Sequence, residues 1–106
     1  MKISRSQTKS QDWDKVKTWN YKLPDLPTKR SVVYAELGSE HGKVSTGDIE
    51  RIYYILEGEG ELYMNDETIK LEKDDLIVVP ANTEYNYKPL NGTTLKVLLF
   101  MELWDN

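Results

Sequence analysis

Glu50-Arg51-Ile52-Tyr53-Tyr54-Ile55-Leu56-Glu57-Gly58-Glu59-Gly60-Glu61-Leu62 and, further on, Asp74-Asp75-Leu76-Ile77-Val78-Val79-Pro80-Ala81-Asn82-Thr83-Glu84-Tyr85 are the stretches that decide the fold. Each is a short apolar run, closed by Gly-Glu-Gly in the first and by proline in the second. That is the punctuation of β-strands. Outward from them the same pattern continues. Strands are predicted over 32–37, 50–57, 61–64, 68–71, 76–79, 84–88 and 93–103, most of them separated by two to five turn residues. A Gly-punctuated loop over 38–48 carries His41, Asn65-Asp66-Glu67 reads as a hairpin tip, and Gly58 and Gly60 flank a tight reversal. Short strands in quick succession with no helical stretch between them predict an all-β antiparallel sandwich or barrel.

In residues 50–56 both Ile52, Tyr54 and Leu56 on one parity and Tyr53 and Ile55 on the other are apolar. Residues 76–79 and 97–101 behave in the same way. A strand apolar on both faces has to be covered on both. A lone barrel covers one face, so a homodimer that buries part of the outer face is expected.

The 106-residue chain is long enough for one core without staples. It has no cysteine, which excludes a disulfide framework, a thiolate nucleophile and cysteine-based metal sites. Its single histidine excludes a metal site needing two imidazoles from one chain. No apolar run approaches a membrane span and no secretory leader is evident, so no membrane association and a cytoplasmic location are expected. Residues 1–30 carry eight Lys/Arg against three Asp/Glu, whereas 31–106 carry six against fifteen. An acidic body does not suit a phosphate backbone, so no nucleic-acid partner is expected. The division predicted is an N-terminal arm over 1–30 and a barrel domain over 31–106. In the arm, Trp13, Val16 and Trp19 recur every three residues, which predicts a short helix capped by Ser10 or Asp12. The prolines of Leu23-Pro24-Asp25-Leu26-Pro27 then impose an extended or turning chain.

The two quoted stretches, set on Gly58 and Pro80, resemble the paired motifs of the cupin superfamily, H-x-H-x3-E-x6-G and G-x5-P-x-G-x2-H, over about residues 31–103. The resemblance implies a double-stranded β-helix, the jelly-roll cupin-type barrel. The departures from the pattern are specific. The glutamate position holds Arg51, the two histidine positions of the first motif hold Ser45 and Gly47, the histidine of the second is Tyr85, and its glycines are Asp74 and Asn82. A guanidinium where a cation would sit repels it, so no metal and no cofactor are expected.

If the resemblance holds, Arg51 and Tyr85 converge inside the barrel with Tyr53 nearby, Tyr87 shares the face of Tyr85, and His41 and Ser45 lie over the mouth. Arg51, Tyr53, Tyr85, Tyr87, Ser45 and His41 are therefore the candidate ligand-binding residues. An Arg among tyrosines suits a small anionic or sugar-like molecule. Against this stands a structural reading in which Arg51 pairs with Glu36, Glu57 or Glu84. His41 is read as an exposed loop residue unless it shuttles protons over the pocket. A Ser45–His41–Asp48 triad has no Gly-x-Ser-x-Gly elbow to support it. Three functions stay open: a metal-free binding module, a metal-independent sugar isomerase or epimerase using His41 and Tyr85, and an interaction protein with a filled barrel.

Overall fold

The computed structural model describes residues 1–23 and 29–102. Ten strands follow a 3-10 turn at Arg5–Gln7: β1 (Lys9–Trp13), β2 (Val16–Leu23), β3 (Arg30–Leu37), β4 (Val44–Ser45), β5 (Arg51–Glu57), β6 (Gly60–Met64), β7 (Glu67–Leu71), β8 (Leu76–Val79), β9 (Glu84–Pro89) and β10 (Leu95–Glu102). They form a six-stranded sheet ordered β1-β2-β3-β10-β5-β8 and a four-stranded sheet ordered β4-β9-β6-β7, with every pairing antiparallel. This is the all-β antiparallel fold that the strand spacing predicts, in the jelly-roll form that the cupin resemblance implies.

The core follows from period-two alternation. Val33, Ala35 and Leu37 on β3, Leu95, Val97, Leu99 and Met101 on β10, and Tyr53 and Ile55 on β5 point inward and are buried. They meet Leu62, Leu71, Tyr85 and Tyr87 of the smaller sheet in one cluster. The outer faces of β5, β8 and β10 are apolar as well, and Leu76, Val78 and Phe100 are left 61%, 47% and 41% exposed.

The turns explain why these strands stop where they do. Asn65 and Asp66 both have positive φ between β6 and β7, the two-residue turn whose twist matches a hairpin. Asp74 and Asn82, where the motif pattern has glycines, sit at φ 71° and 53°. The backbone keeps the left-handed conformation, and Asp and Asn are the non-glycine residues that tolerate it best.

The predicted N-terminal helix is replaced by a hairpin. Trp13 pairs with Val16 across the Asp14-Lys15 turn, and β2 runs along β3 from Val16↔Leu37 to Leu23↔Arg30. The three-residue spacing of Trp13, Val16 and Trp19 spans a turn, so it never lay on one helical face. Within residues 16–21 the alternation Val-Lys-Thr-Trp-Asn-Tyr, rich in strand formers, carries the correct signal. The extended chain expected at residues 24–27 lies outside the described residues.

Candidate functional site

A cavity of about 460 Å³ opens between the inner face of the larger sheet and the β4–β9 side of the smaller one. Its floor is Thr18 and Asn20 of β2, Val33 and Ala35 of β3, and Leu99 and Met101 of β10. Lys9, Gln11 and Trp13 of β1 line one side, Arg51 and Glu102 the far end, and His41, Val44, Ser45 and Tyr87 the remaining wall.

Arg51 enters from the first residue of β5. Its Nη1 donates to the Tyr85 hydroxyl at 3.0 Å, and that hydroxyl shares a further short hydrogen bond with the Tyr53 hydroxyl. None of the three carboxylates expected to pair with it does so among the described residues. Glu36 accepts from the Tyr34 hydroxyl at 2.7 Å, Glu57 pairs with Lys96 at 2.9 Å, and Glu84 pairs with Lys43 at 3.7 Å. Burial works against the Arg51 charge, yet Tyr85, Tyr53 and the nearby Glu102 hold its pKa above the ordinary value. The guanidinium is a permanent cation whose Nε, buried, has no hydrogen-bond partner among the described residues.

His41 is not an exposed loop residue. Its ring stacks on Tyr87 at 4.9 Å and meets Trp13 edge-on at 5.1 Å. Its backbone N–H donates to the Tyr87 carbonyl at 2.9 Å, and Trp13 Nε1 donates to the His41 carbonyl at 3.0 Å, so β9 and β1 together fix the loop. The Gly42 N–H is held by Asn86 Oδ1 at 3.0 Å. Nδ1 of His41 lies 3.0 Å from the Gly42 carbonyl oxygen, which can only accept. That contact assigns the proton to Nδ1 and leaves the lone pair on Nε2. Burial lowers the imidazole pKa; the Gly42 carbonyl opposes this in part, and Arg51 adds to the lowering. The ring is neutral at physiological pH. Tyr53 and Tyr87 are pushed the other way, burial being the main cause, and stay protonated.

Of the six residues singled out from the sequence, His41, Ser45, Arg51 and Tyr87 line the cavity. Tyr53 and Tyr85 are buried behind Arg51 and position it rather than face the open space. Ser45 Oγ donates to the Thr46 carbonyl at 2.9 Å, not to His41. Asn20 and the β1 residues reach the cavity through the β1–β2 pairing, where the spacing of Trp13, Val16 and Trp19 predicts a helix, and Glu102, at the end of a predicted strand, carries no motif that marks it.

The donor set does not fit a bound metal. A guanidinium and a phenol hold two of the positions where ligands would stand, and among the described residues no three His, Asp or Glu side chains converge.

Comparison with known proteins decides the family. Residues 45–101, more than half of the chain, match the family model described as the cupin domain. The chain belongs to the cupin family. A stretch of 49 residues is 37% identical to an uncharacterized protein of Methanocaldococcus jannaschii, and covers 46% of this cupin and 39% of that relative. The chain thus matches well under half the length of this curated relative. Among solved structures, Streptomyces Pac13, described as a nucleoside dehydratase, superposes with a TM-score of 0.79 at 20% identity over 99% of this chain and 84% of that one. Three further Pac13 structures are variants bound to uridine, one with a histidine changed to glutamine and two with a tyrosine changed to phenylalanine. A predicted oxalate decarboxylase of Thermotoga maritima superposes with a TM-score of 0.74 at 19% identity over 98% of this chain and all of that one. These likenesses establish the cupin fold. Among the described residues no helix is long and apolar enough to cross a membrane.

Proposed function

We propose that this cupin binds a small hydroxylated molecule of sugar or nucleoside type, without a metal, in the cavity between its two sheets. One observation carries the reading. At the far end of the cavity Arg51 Nε, a donor, and Glu102 Oε2, an acceptor, are both buried and both unpartnered among the described residues. Buried polar atoms are normally satisfied, so an unpaired donor and acceptor beside a cavity call for a ligand that supplies the complements. A hydroxyl both accepts and donates. A simple dianion would suit Arg51 but be repelled by Glu102. The uridine-bound Pac13 structures support the same class. The test is a thermal-shift series with uridine, free sugars, sugar phosphates and small carboxylates. Sugars or nucleosides should raise the melting temperature of wild type, and Arg51→Ala should remove the shift. A flat series, or stabilisation by carboxylates alone, would reject it.

A second reading adds chemistry: His41 takes a proton from the bound molecule. The support is the neutral imidazole on the cavity wall with its Nε2 lone pair unused by Gly42. The Pac13 variants fit this pattern. Their histidine and two tyrosines follow one another at intervals of 13 and 34 residues, while His41, Tyr53 and Tyr87 stand 12 and 34 apart. Incubation with candidate sugars and nucleosides in D₂O should exchange a carbon-bound proton with wild type and not with His41→Gln. Here Tyr87 replaces Tyr85 as the tyrosine nearest the base, since Tyr87 stacks on His41 and Tyr85 is tied to Arg51.

We also infer a homodimer that covers the exposed outer face of β5, β8 and β10. Its support is the apolar character of that face, and its test closes the Discussion.

A further inference from the structure

Asn20 occupies the middle of β2, between Lys9 on β1 and Val33 on β3, and faces the cavity floor. It is 3% exposed, and neither its Nδ2 nor its Oδ1 has a hydrogen-bond partner among the described residues. A primary amide buried with both halves unsatisfied destabilises the fold. Its neighbours across β3 and β10 are Val33, Ala35 and Leu99, so an apolar side chain would pack at this point without that penalty. A residue that breaks a local folding rule beside a ligand cavity marks a functional position.

The chemistry of the amide narrows what it meets. It presents a donor and an acceptor side by side in one plane, and its complement is a planar edge with an acceptor beside a donor, such as the pairing edge of a nucleobase. Rotation about the last side-chain torsion, which is soft in asparagine, lets it serve either order. The surroundings suit a flat ring. Val33, Ala35, Leu99 and Met101 form an apolar floor, and the stacked rings of His41 and Tyr87 form a wall.

We propose that Asn20 is the specificity residue of the cavity and reads the hydrogen-bonding edge of a nucleobase-type ring, with the hydroxylated part of the same ligand lying towards Arg51 and Glu102. This rests on the reading of the cavity as a site for sugar- or nucleoside-type molecules and names the ring that such a ligand carries.

Isothermal titration of the full chain with the four ribonucleosides and with ribose tests it. At least one nucleoside should bind wild type about tenfold to a hundredfold more tightly than ribose, the range expected for a bidentate pair. In Asn20→Leu that margin should collapse while the affinity for ribose is kept. The unliganded Asn20→Leu protein should melt no lower than wild type, an outcome a purely structural role for Asn20 would not give. Asn20→Asp, which loses the donor but keeps the shape, provides the same comparison if the leucine variant does not fold. Ribose binding as tightly as every nucleoside, or a margin that survives in both variants, overturns the role of Asn20 and leaves the cavity reading intact. No binding of ribose, of any nucleoside or of sugar phosphates by wild type overturns both.

Discussion

The guanidinium of Arg51 is held by the hydroxyl of Tyr85, at 3.0 Å, and, among the described residues, by no carboxylate within ion-pair distance. A phenol anchors the side chain without cancelling its charge, so the guanidinium, with Glu102 beside it, stays available to whatever binds at the cavity end. The Tyr85 hydroxyl also engages Tyr53, so one oxygen links the arginine to the core.

Tyr85→Phe should therefore unsettle both partners. It leaves the Tyr53 hydroxyl and Arg51 Nη1 without their shared acceptor or donor in a buried setting, which costs about 1–3 kcal/mol. Denaturant unfolding should show that loss, and any ligand that depends on Arg51 should bind more weakly. Arg51→Lys should keep most of the stability and lose the ligand response, because an ammonium has no planar fork to offer a hydroxyl pair. Equal ligand-induced stabilisation of wild type and Arg51→Lys would exclude Arg51 from the contact.

His41 gives the protein a pH dependence of known sign. Burial holds its folded pKa below the ordinary 6.5, so the unfolded chain takes up the proton first as pH falls. Its neutral form leaves stability complete above about pH 7. Stability is then lost as pH drops from 6.5 towards the lower folded value. The fall in unfolding free energy between pH 7.5 and 5.5 should be smaller in His41→Gln than in wild type. If His41 is the base, the rate of proton exchange rises through that same lowered pKa and then stays level. Tyr53 and Tyr87 are raised above their ordinary value of 10.0 and impose no alkaline limb below it.

Much of this was legible in the sequence, and what was not has a physical reason. Apolar runs and the turn residues that close them locate β8 at Leu76–Val79 and place the other strands from β3 onward, β4 excepted, within two residues at each end, and in β3 the inward Val33, Ala35 and Leu37 recur at a strict period of two. The approach of Arg51 to Tyr85 followed from the motif register, which fixes facing strand ends. Asn20 and Glu102 carry no local signal. They lie 82 residues apart and meet at one cavity only because β2 and β10 both flank β3. Trp13 and Trp19 misled for a related reason. A three-residue spacing on either side of the Asp14-Lys15 turn imitates a helix, although Trp13 lines the cavity and Trp19 lies on the outer face, stacked on Tyr34 at 5.4 Å.

Gly58, the motif glycine, should resist substitution on two independent grounds. Its φ is +87°, and a Cβ there would stand 2.4 Å from the Thr94 carbonyl oxygen, a backbone atom that cannot yield cheaply. Gly58→Ala should cost at least about 2 kcal/mol. Gly42 separates the two effects. At φ +103° it has nothing within 4 Å of a Cβ, so Gly42→Ala should cost only the backbone strain, about 1 kcal/mol. Paired denaturation curves measure the difference. Equal losses in the two variants would show that the chain at 94–95 gives way.

The outer face of the larger sheet sets the last prediction. Strand pairing aligns two rows straight across five strands, Val78–Ile52–Phe100–Val32–Tyr21 and Leu76–Tyr54–Leu98–Tyr34–Trp19. At the β2 end Arg5 covers them, lying 4.4 Å over the Trp19 ring and 5.0 Å over Tyr34, with its Nε donating to the Tyr21 hydroxyl at 2.8 Å. At the β8 end nothing from the described chain does so, and Leu76, Val78 and Phe100 stand exposed beside an edge strand. A contiguous apolar patch of this kind marks an interface, and a second copy turned about a two-fold axis would place the same patch against it. Sedimentation equilibrium at tens of micromolar should give twice the 12.4 kDa chain mass. Phe100→Asp and Val78→Lys should each shift the population to monomer, since a charge within the patch loses its hydration on association. They should leave the monomer folded, because both side chains point away from the core. A wild-type protein that sediments as a monomer at that concentration would reject the self-association and leave the patch to a different partner.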